Sequence, residues 1–185
     1  MEDVVAAELE KRGYLSIVDI YTDGSCLRNP GGAGGYAVVL LDEASQKTKH
    51  FWGSDPETTN NQMELKAAIL GLSKLKRPCC VTIYSDSKYI VRGMSEWMPS
   101  WIRNRWRTRE GKPLKNRELW EELYQLSRGH IVHWEWVRGH DGHRFNEYCD
   151  RLAQWAAIQE HKKKYRKKGD ADEKSTQAAG PSLGP

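Results

Sequence analysis

The sequence predicts an α/β fold in which five strands and several helices form one domain. Three observations lead to this prediction. The chain has 185 residues, a length that suits a single hydrophobic core. Short segments rich in β-branched and aromatic residues are bounded by Gly, Pro or Asp. Longer segments with helical spacing lie between them, which gives three strands, a helix, a strand, helices, a strand and a helix.

Five segments have the composition and the boundaries of strands. The first precedes a Gly- and Pro-rich turn at residues 29–32, and the next two follow each other like the arms of a hairpin. The fourth ends at Ser85, directly before Asp86. The predicted strands are residues 17–22, 35–41, 48–52, 81–85 and 131–137.

Local signals predict where the helices begin and end. Thr59 and Gln62 have the spacing of a capping box, and Pro78 follows the end of the helix that they open. A second helix follows Asp86. The other predicted helices are residues 3–12, residues 116–127, and residues 145 to about 160.

The two ends of the chain lie outside the predicted domain. We expect a short N-terminal extension at residues 1–16, the folded domain at residues 17–160, and a basic, then polar tail at residues 161–185. The composition of the tail is typical of a disordered segment.

Composition and charge favour an intracellular protein. The net charge is +4, and the four cysteines include the neighbours Cys79 and Cys80, which do not resemble a disulfide framework. The apolar runs are too short to span a bilayer, and the first residues lack the basic start and apolar stretch of a signal peptide. We therefore expect a cytoplasmic protein without a membrane partner.

One segment, residues 101–117, is strongly basic within an otherwise nearly neutral body. It contains two tryptophans, Trp101 and Trp106, between its charges. This combination suits phosphate attraction together with base stacking. The seven basic residues, against the single acid Glu110, are Arg103, Arg105, Arg107, Arg109, Lys112, Lys115 and Arg117.

Four carboxylates stand in settings that suit a metal site. Asp23 and Asp86 each follow a predicted strand, and they would meet if those strands are neighbours. Glu64 and Asp150 have small residues one and two turns further along their helices, which would let the helices approach the sheet closely. Singly, each residue could be a capping or surface acid. Together they could hold a pair of Mg²⁺ ions, because hard divalent cations take oxygen ligands.

Five short motifs resemble those of ribonuclease H type 1. They are IYTDGSC (residues 20–26), TTNNQMEL (58–65), YSDS (84–87), GH (139–140) and NEYCD (146–150). The similarity covers roughly residues 16–160, and the basic segment resembles the substrate-binding protrusion of free-standing bacterial members. The resemblance implies the ribonuclease H fold, a mixed five-stranded sheet flanked by helices. It also implies a monomeric endonuclease that hydrolyses the RNA strand of RNA·DNA hybrids and leaves 5′-phosphate and 3′-hydroxyl ends.

The resemblance also implies which residues carry out the chemistry. Asp23, Glu64, Asp86 and Asp150 would bind two Mg²⁺ ions, for which Mn²⁺ can substitute. His140, in a glycine-containing loop, would move a proton to the leaving oxygen or help to release the product.

Other roles are open for the residues around His140. It could be a plain loop histidine, or a zinc ligand together with His143 and Cys149, although no cysteine pair completes a tetrahedral set. Glu147 could make an outer contact to metal or water, or be a solvated acid near a helix N-terminus.

Substrate contacts follow from the same resemblance. The minor groove of a hybrid would be read by short polar side chains that can test 2′-hydroxyls, namely Cys26, Arg28, Asn29, Asn60 and Asn61. The DNA strand would be held at a phosphate pocket and an aromatic channel, formed by Thr59 and Asn116 and by Tyr89, Trp97 and Trp101, respectively.

Several of these aromatic and polar residues have a structural alternative. Thr59 could serve only as a helix cap, and Trp97 and Trp101, one helical turn apart, could be mainly core. We expect Trp134 and Trp136, on one face of a strand, to be core residues.

The chain departs from the family pattern in three places. Glu57 stands where relatives can have an arginine, Arg28 replaces a common glycine, and the loop at residues 31–35 is slightly longer than usual. Two other functions remain open: a hybrid-binding module without activity, and a related nuclease such as a transposase or a reverse-transcriptase domain. Intact carboxylates disfavour the former, while the short chain and the basic segment disfavour the latter.

Overall fold

The computed structural model describes the backbone of residues 16–176 and the side chains of residues 16–163. A mixed five-stranded sheet lies between helices on both of its faces, which confirms the predicted fold class. The helix predicted for residues 3–12 lies outside the described residues, and so does the end of the tail, residues 177–185.

The sheet has its long first strand at the centre. Its spatial order is β3-β2-β1-β4-β5, in which β1 pairs antiparallel with β2 and parallel with β4. The outer pairs are β2 with β3, antiparallel, and β4 with β5, parallel. The strands are β1 (Ser16–Cys26), β2 (Gly32–Asp42), β3 (Lys47–Thr58), β4 (Cys79–Ser85) and β5 (Ile131–Trp136).

Helices cover both faces of the sheet. They are α1 (Asn60–Ser73), α2 (Lys88–Arg92), α3 (Met98–Arg103), α4 (Arg117–Ser127) and α5 (Arg144–Thr176), and a π-helical turn (Gly93–Trp97) joins α2 to α3. The capping box predicted at the start of α1 is present. Thr59 Oγ1 accepts a hydrogen bond from the Gln62 backbone amide at 3.3 Å, and Gln62 Oε1 accepts one from the Thr59 amide at 3.0 Å.

The last helix is longer than the sequence predicts. We expected α5 to end near residue 160, but its backbone remains helical to Thr176. The predicted end of this helix is therefore corrected from about residue 160 to Thr176. The continuation is rich in Lys and Arg and contains no Pro, a composition that favours helix intrinsically.

Alternation along β1 divides the core into two layers. Val18 and Ile20 belong to the larger cluster, which includes Leu65 of α1 and Trp120 of α4. Tyr21 packs against the smaller cluster on the opposite face, which contains Cys149 and Ala153 of α5. Among the described residues, none of the helices is both long and apolar enough to cross a bilayer.

Candidate active site

Two of the predicted carboxylates meet where the parallel pairing of β1 and β4 ends. The last paired residues are Thr22 and Ser85, so Asp23 and Asp86 are the next residues on neighbouring strands. We expected Asp23 to stand where its strand ends. Instead, β1 continues to pair with β2 as far as Cys26 and Gly34. The two acids nevertheless lie side by side, because only the β4 edge of β1 becomes free there.

The third carboxylate, Glu64, arrives from the first turns of α1. The backbone of Met63 and Glu64 lies directly over Gly24, where any Cβ atom would overlap the Glu64 amide nitrogen. Gly24 is therefore required for α1 to come close enough to bring Glu64 beside Asp23. Gly71 acts similarly two turns later, since a Cβ there would lie 2.8 Å from Ile20 Cγ2.

These three carboxylates form a site that fits a divalent cation. Asp23, Glu64 and Asp86 each offer an oxygen, and these oxygens lie within 4.8 Å of one another. Glu64 Oε2 is buried and has no hydrogen-bond partner among the described residues. A buried carboxylate oxygen without a donor is costly unless a cation or a proton compensates it. The oxygen-only donor set is the kind that Mg²⁺ prefers.

The site accumulates negative potential. Burial, followed by repulsion from Asp86 and Asp150, raises the pKa of Asp23 to about 8. Burial also holds the pKa of Glu64 well above its ordinary value, and the charge of Asp23 adds to the effect. The pKa of Asp86 is likewise raised by burial. Without a cation, ionising all three groups near neutral pH costs free energy, because the charges are buried and repel one another.

Asp150 lies at the edge of this group rather than within it. It is not one of the three residues whose oxygens converge, but its charge raises the pKa of Asp23, Glu64 and Asp86. Gln154 Nε2 donates a hydrogen bond to Asp150 Oδ1 at 2.6 Å. One Asp150 oxygen is thus already engaged, whereas Oδ2 faces His140.

His140 lies beside Asp150 in an exposed loop. Its Nδ1 atom is 3.9 Å from Asp150 Oδ2, and 77% of its side chain is exposed. The preceding Gly139 touches the site, since a Cβ atom there would lie 2.6 Å from Asp86 Oδ2. The loop is closed by Glu147, whose Oε1 accepts a hydrogen bond from the Gly142 amide at 3.1 Å.

The zinc alternative finds no support among the described residues. Their only cluster of three or more potential ligands is the carboxylate group. Cys149 is fully buried in the α5 layer of the core, where its thiol contacts the Tyr21 carbonyl oxygen at 3.2 Å. It therefore points away from the exposed His140 loop.

Two residues that support the site were missed by the sequence analysis. Trp136 was expected in the core, but it is 41% exposed because it lies at the end of edge strand β5. Its indole nitrogen donates a hydrogen bond to the Asp86 carbonyl oxygen at 3.0 Å, and Lys88 Nζ lies 4.7 Å from its ring centroid.

The second of these residues is Asn146. It is 1% exposed, and its side-chain Nδ2 donates a hydrogen bond to the Thr22 carbonyl oxygen at 3.5 Å. Its position one helical turn before Asp150 was the available signal.

The residues expected to read the minor groove gather around the loop between β1 and β2. Asn29 Oδ1 accepts a hydrogen bond from the Asn60 amide at 3.2 Å, which ties this loop to the start of α1. The Cys26 thiol contacts three backbone carbonyl oxygens, the nearest being that of Arg28 at 3.2 Å. Asn60 and Asn61 are exposed, so their side chains are accessible to a ligand beside Glu64.

The residues expected to hold the DNA strand form one aromatic cluster. Tyr89 lies 6.5 Å from Trp97, and Trp97 lies 5.7 Å from Trp101, between ring centroids. The Tyr89 hydroxyl accepts hydrogen bonds from Asn116 Nδ2 at 3.3 Å and from Trp120 Nε1 at 2.9 Å. Trp120, which the sequence analysis did not single out, is completely buried. It packs against Tyr89 and Trp101 and so supports the cluster on its core side.

Trp97 and Trp101 are half-buried rather than fully core, so each can pack inward and still offer a surface. Thr59 acts as a helix cap, as described above, and its partly accessible position leaves it able to contact a ligand as well.

The basic segment of residues 101–117, here called the basic loop, runs from the second half of α3 to the first residue of α4. All seven of its Lys and Arg residues are exposed. The Arg107 and Pro113 backbones pair in a short bridge, and Trp106 anchors the loop against Tyr124 of α4 at 6.3 Å. A ribbon of cations is therefore held on the same side of the sheet as the aromatic cluster.

Comparison with known proteins agrees with this geometry. The family model for RNase H matches residues 16–158. A protein named Ribonuclease H from Cupriavidus necator is 50% identical over 136 residues, which cover 74% of this chain and 92% of that relative. The chain belongs to the ribonuclease H family.

Solved structures of ribonucleases H share the fold. LC9-RNase H1, described as a type 1 RNase H with the type 2 active-site motif, is 36% identical with a TM-score of 0.72, and the match covers 79% of this chain and 74% of that one. LC11-RNase H1 in complex with RNA/DNA hybrid is 23% identical with a TM-score of 0.59, over 77% and 97% of the two chains, and shows the fold alone. The predicted resemblance to ribonuclease H type 1 is confirmed.

Proposed function

We propose that this ribonuclease H hydrolyses the RNA strand of RNA·DNA hybrids by a two-metal-ion mechanism. The observation that carries the proposal is the convergence of Asp23, Glu64 and Asp86, with a buried Glu64 oxygen that lacks a partner. In a solvated cluster of acids, water would donate a hydrogen bond to each carboxylate oxygen. The products are a 5′-phosphate on one fragment and a 3′-hydroxyl on the other.

The four carboxylates divide the work of holding the cations. Asp23, Glu64 and Asp86 form the inner set, and Asp150, at the edge of the group, would provide a further ligand for the second cation. Two Mg²⁺ ions bound there would supply a nucleophile from water and neutralise the charge that develops on the phosphoryl group. Mn²⁺ can substitute, because it accepts the same oxygen donors. The protein holds the carboxylates in place through Gly24, the β1–β4 register and the start of α5.

His140 acts on the leaving side of the reaction. Its exposed ring, 3.9 Å from Asp150, can reach the sugar-phosphate backbone of a bound hybrid and exchange protons with water. A histidine in this setting transfers a proton to the leaving 3′-oxygen or takes part in product release. Its contribution is auxiliary, since neutralisation of most of the developing charge would come from cations held by the carboxylates.

Substrate recognition combines two surfaces on either side of the carboxylates. The short polar side chains of Asn29, Asn60 and Asn61 test 2′-hydroxyls in the wide minor groove of the hybrid. Thr59 and Asn116 bind a phosphate of the DNA strand, and the aromatic cluster holds the sugars that follow it. The basic loop adds attraction that does not depend on sequence.

The cellular setting follows from the same reasoning. Cys26, Cys79 and Cys149 carry free thiols, as expected of a reducing compartment, and the relatives named Ribonuclease H include bacterial proteins. We infer a cytoplasmic enzyme that works as a monomer.

One incubation series tests the proposal. Labelled RNA·DNA hybrid, double-stranded RNA and double-stranded DNA are each mixed with the protein in Mg²⁺ and in EDTA. Only the hybrid should be cut, and only in Mg²⁺. Asp86→Asn should remove cleavage but keep hybrid binding, because it deletes a ligand charge and leaves the groove contacts intact. Near-normal turnover by the folded variant would refute the metal assignment.

A second substrate tests what the asparagines read. If they sense hydroxyls on successive nucleotides, a DNA duplex with one ribonucleotide should be a poor substrate, while a run of about four should be cut readily. The shortfall should amount to a few kcal/mol, because polar groups of the site would lack partners. Efficient cutting at a lone ribonucleotide would contradict the assignment of these residues even if the metal site is right.

A further inference from the structure

A second surface of aromatic and basic residues lies between β3 and α5, on the face of the sheet opposite to α1 and α4. Alternation places Thr48, His50 and Trp52 on the face of β3 that α5 covers. On α5, a stripe with helical spacing faces the same side, formed by Arg144, Tyr148, Arg151 and Trp155. None of these residues takes part in the proposed reaction.

Four aromatic rings form a continuous row on this surface. His50 lies 5.7 Å from Tyr148 and 5.9 Å from Trp52, and Trp52 lies 6.0 Å from Trp155, between ring centroids. Both indoles are large and open to solvent, with 48% of Trp52 and 47% of Trp155 exposed. A contiguous exposed apolar patch of this kind marks a binding surface more often than single exposed side chains do.

A pocket with two cations adjoins the row of rings. Its volume is about 310 Å³, and it is lined by Val39, Thr48, His50, Arg144, Phe145, Tyr148 and Arg151. No carboxylate is among these residues. Among the side chains of residues 16–163, neither Arg144 nor Arg151 forms an ion pair, and the Arg144 guanidinium only lies over the Phe145 ring at 5.6 Å. Both guanidiniums are therefore available to an anion.

We propose that this row of rings and its two arginines bind single-stranded nucleic acid. Unpaired bases expose their flat faces and stack on aromatic side chains, while guanidiniums bind the phosphates between them. A duplex cannot use the exposed indoles in this way, because its bases are already stacked. The stripe runs along α5, the helix that also carries Asp150, so the surface would receive a single strand that continues from a hybrid at the active site.

Direct binding in EDTA tests this inference separately from the proposed cleavage. Anisotropy of labelled 20-residue oligothymidylate and oligouridylate is measured with the full chain over a range of salt. Trp52→Ala/Trp155→Ala should weaken binding by about 10- to 100-fold through lost stacking. Arg144→Ala/Arg151→Ala should reduce the slope of log affinity against log salt by about 1.4, at about 0.7 per phosphate contact with a single strand.

Two controls separate this surface from other basic sites. Arg128→Ala removes an exposed arginine that also lies over an aromatic ring, that of Tyr124 at 6.0 Å, and it should leave single-strand affinity unchanged. The arginine pair is also replaced in a background that lacks the arginines of the basic loop, where its effect should persist because the two surfaces are distant. Cleavage of a blunt hybrid should stay close to wild type in the surface variants.

Three results would overturn the inference. Unchanged single-strand affinity and salt slope in both double variants would mean that the surface does not bind nucleic acid. An equal loss in Arg128→Ala would reduce the effect to overall charge. A dimer of the wild-type chain, seen by light scattering and lost in Trp52→Ala/Trp155→Ala, would identify the surface as a contact between two copies. The arginine pair keeps the test valid if the tryptophan variant fails to fold.

Discussion

Asp23→Asn should stabilise the metal-free protein although it disables the proposed enzyme. Burial raises the pKa of Asp23 from 3.8 to about 8, so the folded state holds this proton more tightly than the unfolded chain does. Stability from the raised pKa is fully present below about pH 4 and is lost as the pH rises to about 8. At about 1.36 kcal/mol per pH unit, the loss above pH 8 approaches roughly 6 kcal/mol.

Asparagine has no proton to lose, so the variant should escape this loss. At pH 9 in EDTA we expect it to be about 3 to 6 kcal/mol more stable than wild type, the lower value allowing for imperfect hydrogen bonding of the amide. For a chain of this size that difference corresponds to roughly 6 to 24 °C in Tm. Near pH 4 the two proteins should be nearly equal.

The assay is urea unfolding at several pH values, in EDTA and in Mg²⁺. Mg²⁺ should narrow the difference at pH 8, because a bound ion stabilises wild type by about 2.7 kcal/mol at a hundredfold excess over Kd, and Asp23→Asn has lost a ligand. Asp141→Asn, which replaces an exposed aspartate of the His140 loop, is the matched control and should change neither curve. If Asp23→Asn is no more stable than wild type at pH 9 in EDTA, the acids are not held together at an electrostatic cost.

The remaining predictions concern groups outside the inner carboxylates. His140→Ala should slow turnover by roughly 10- to 1,000-fold, the scale of a lost proton-transfer group, while Mg²⁺ affinity measured by calorimetry stays the same. Stoichiometric zinc in the purified protein, with unfolding on chelation, would instead support the zinc alternative. Replacing Arg103, Arg105 and Arg107 by Ala should raise KM and reduce the salt slope by about one for each lost phosphate contact, with kcat preserved. Arg128→Ala is the control, and an unchanged KM in the triple variant would mean that these arginines are only solvated.

Much of the candidate site could be predicted because its signals are local. Thr59 and Gln62 specify the start of α1 through hydrogen bonds that need only three residues of separation. The five strands and the order of helices follow from composition, periodicity and turn residues, which act over a few positions. The motifs around the carboxylates resemble one family, so their residues could be named before the strands were placed.

Other features depend on contacts between distant segments. Asp23 lies inside β1 because β2 still pairs with it, while β4 has already ended. Trp136 is exposed because β5 turned out to be an edge strand, so the hydrophobicity of the residue did not decide its burial. The helical continuation of α5 was missed because its charged sequence is typical of disorder as well as of an exposed helix.

The sequence by itself determined the family, the order of elements and the identity of the acids, because each rests on residue types at short spacing. Only the tertiary structure decided how close the acids come, which oxygen of Glu64 lacks a partner, and that His140 faces Asp150. It also joined Trp52 to Trp155 and two arginines to one pocket. These are properties of tertiary packing between different elements, and pairwise distances of that kind are not written in any local pattern.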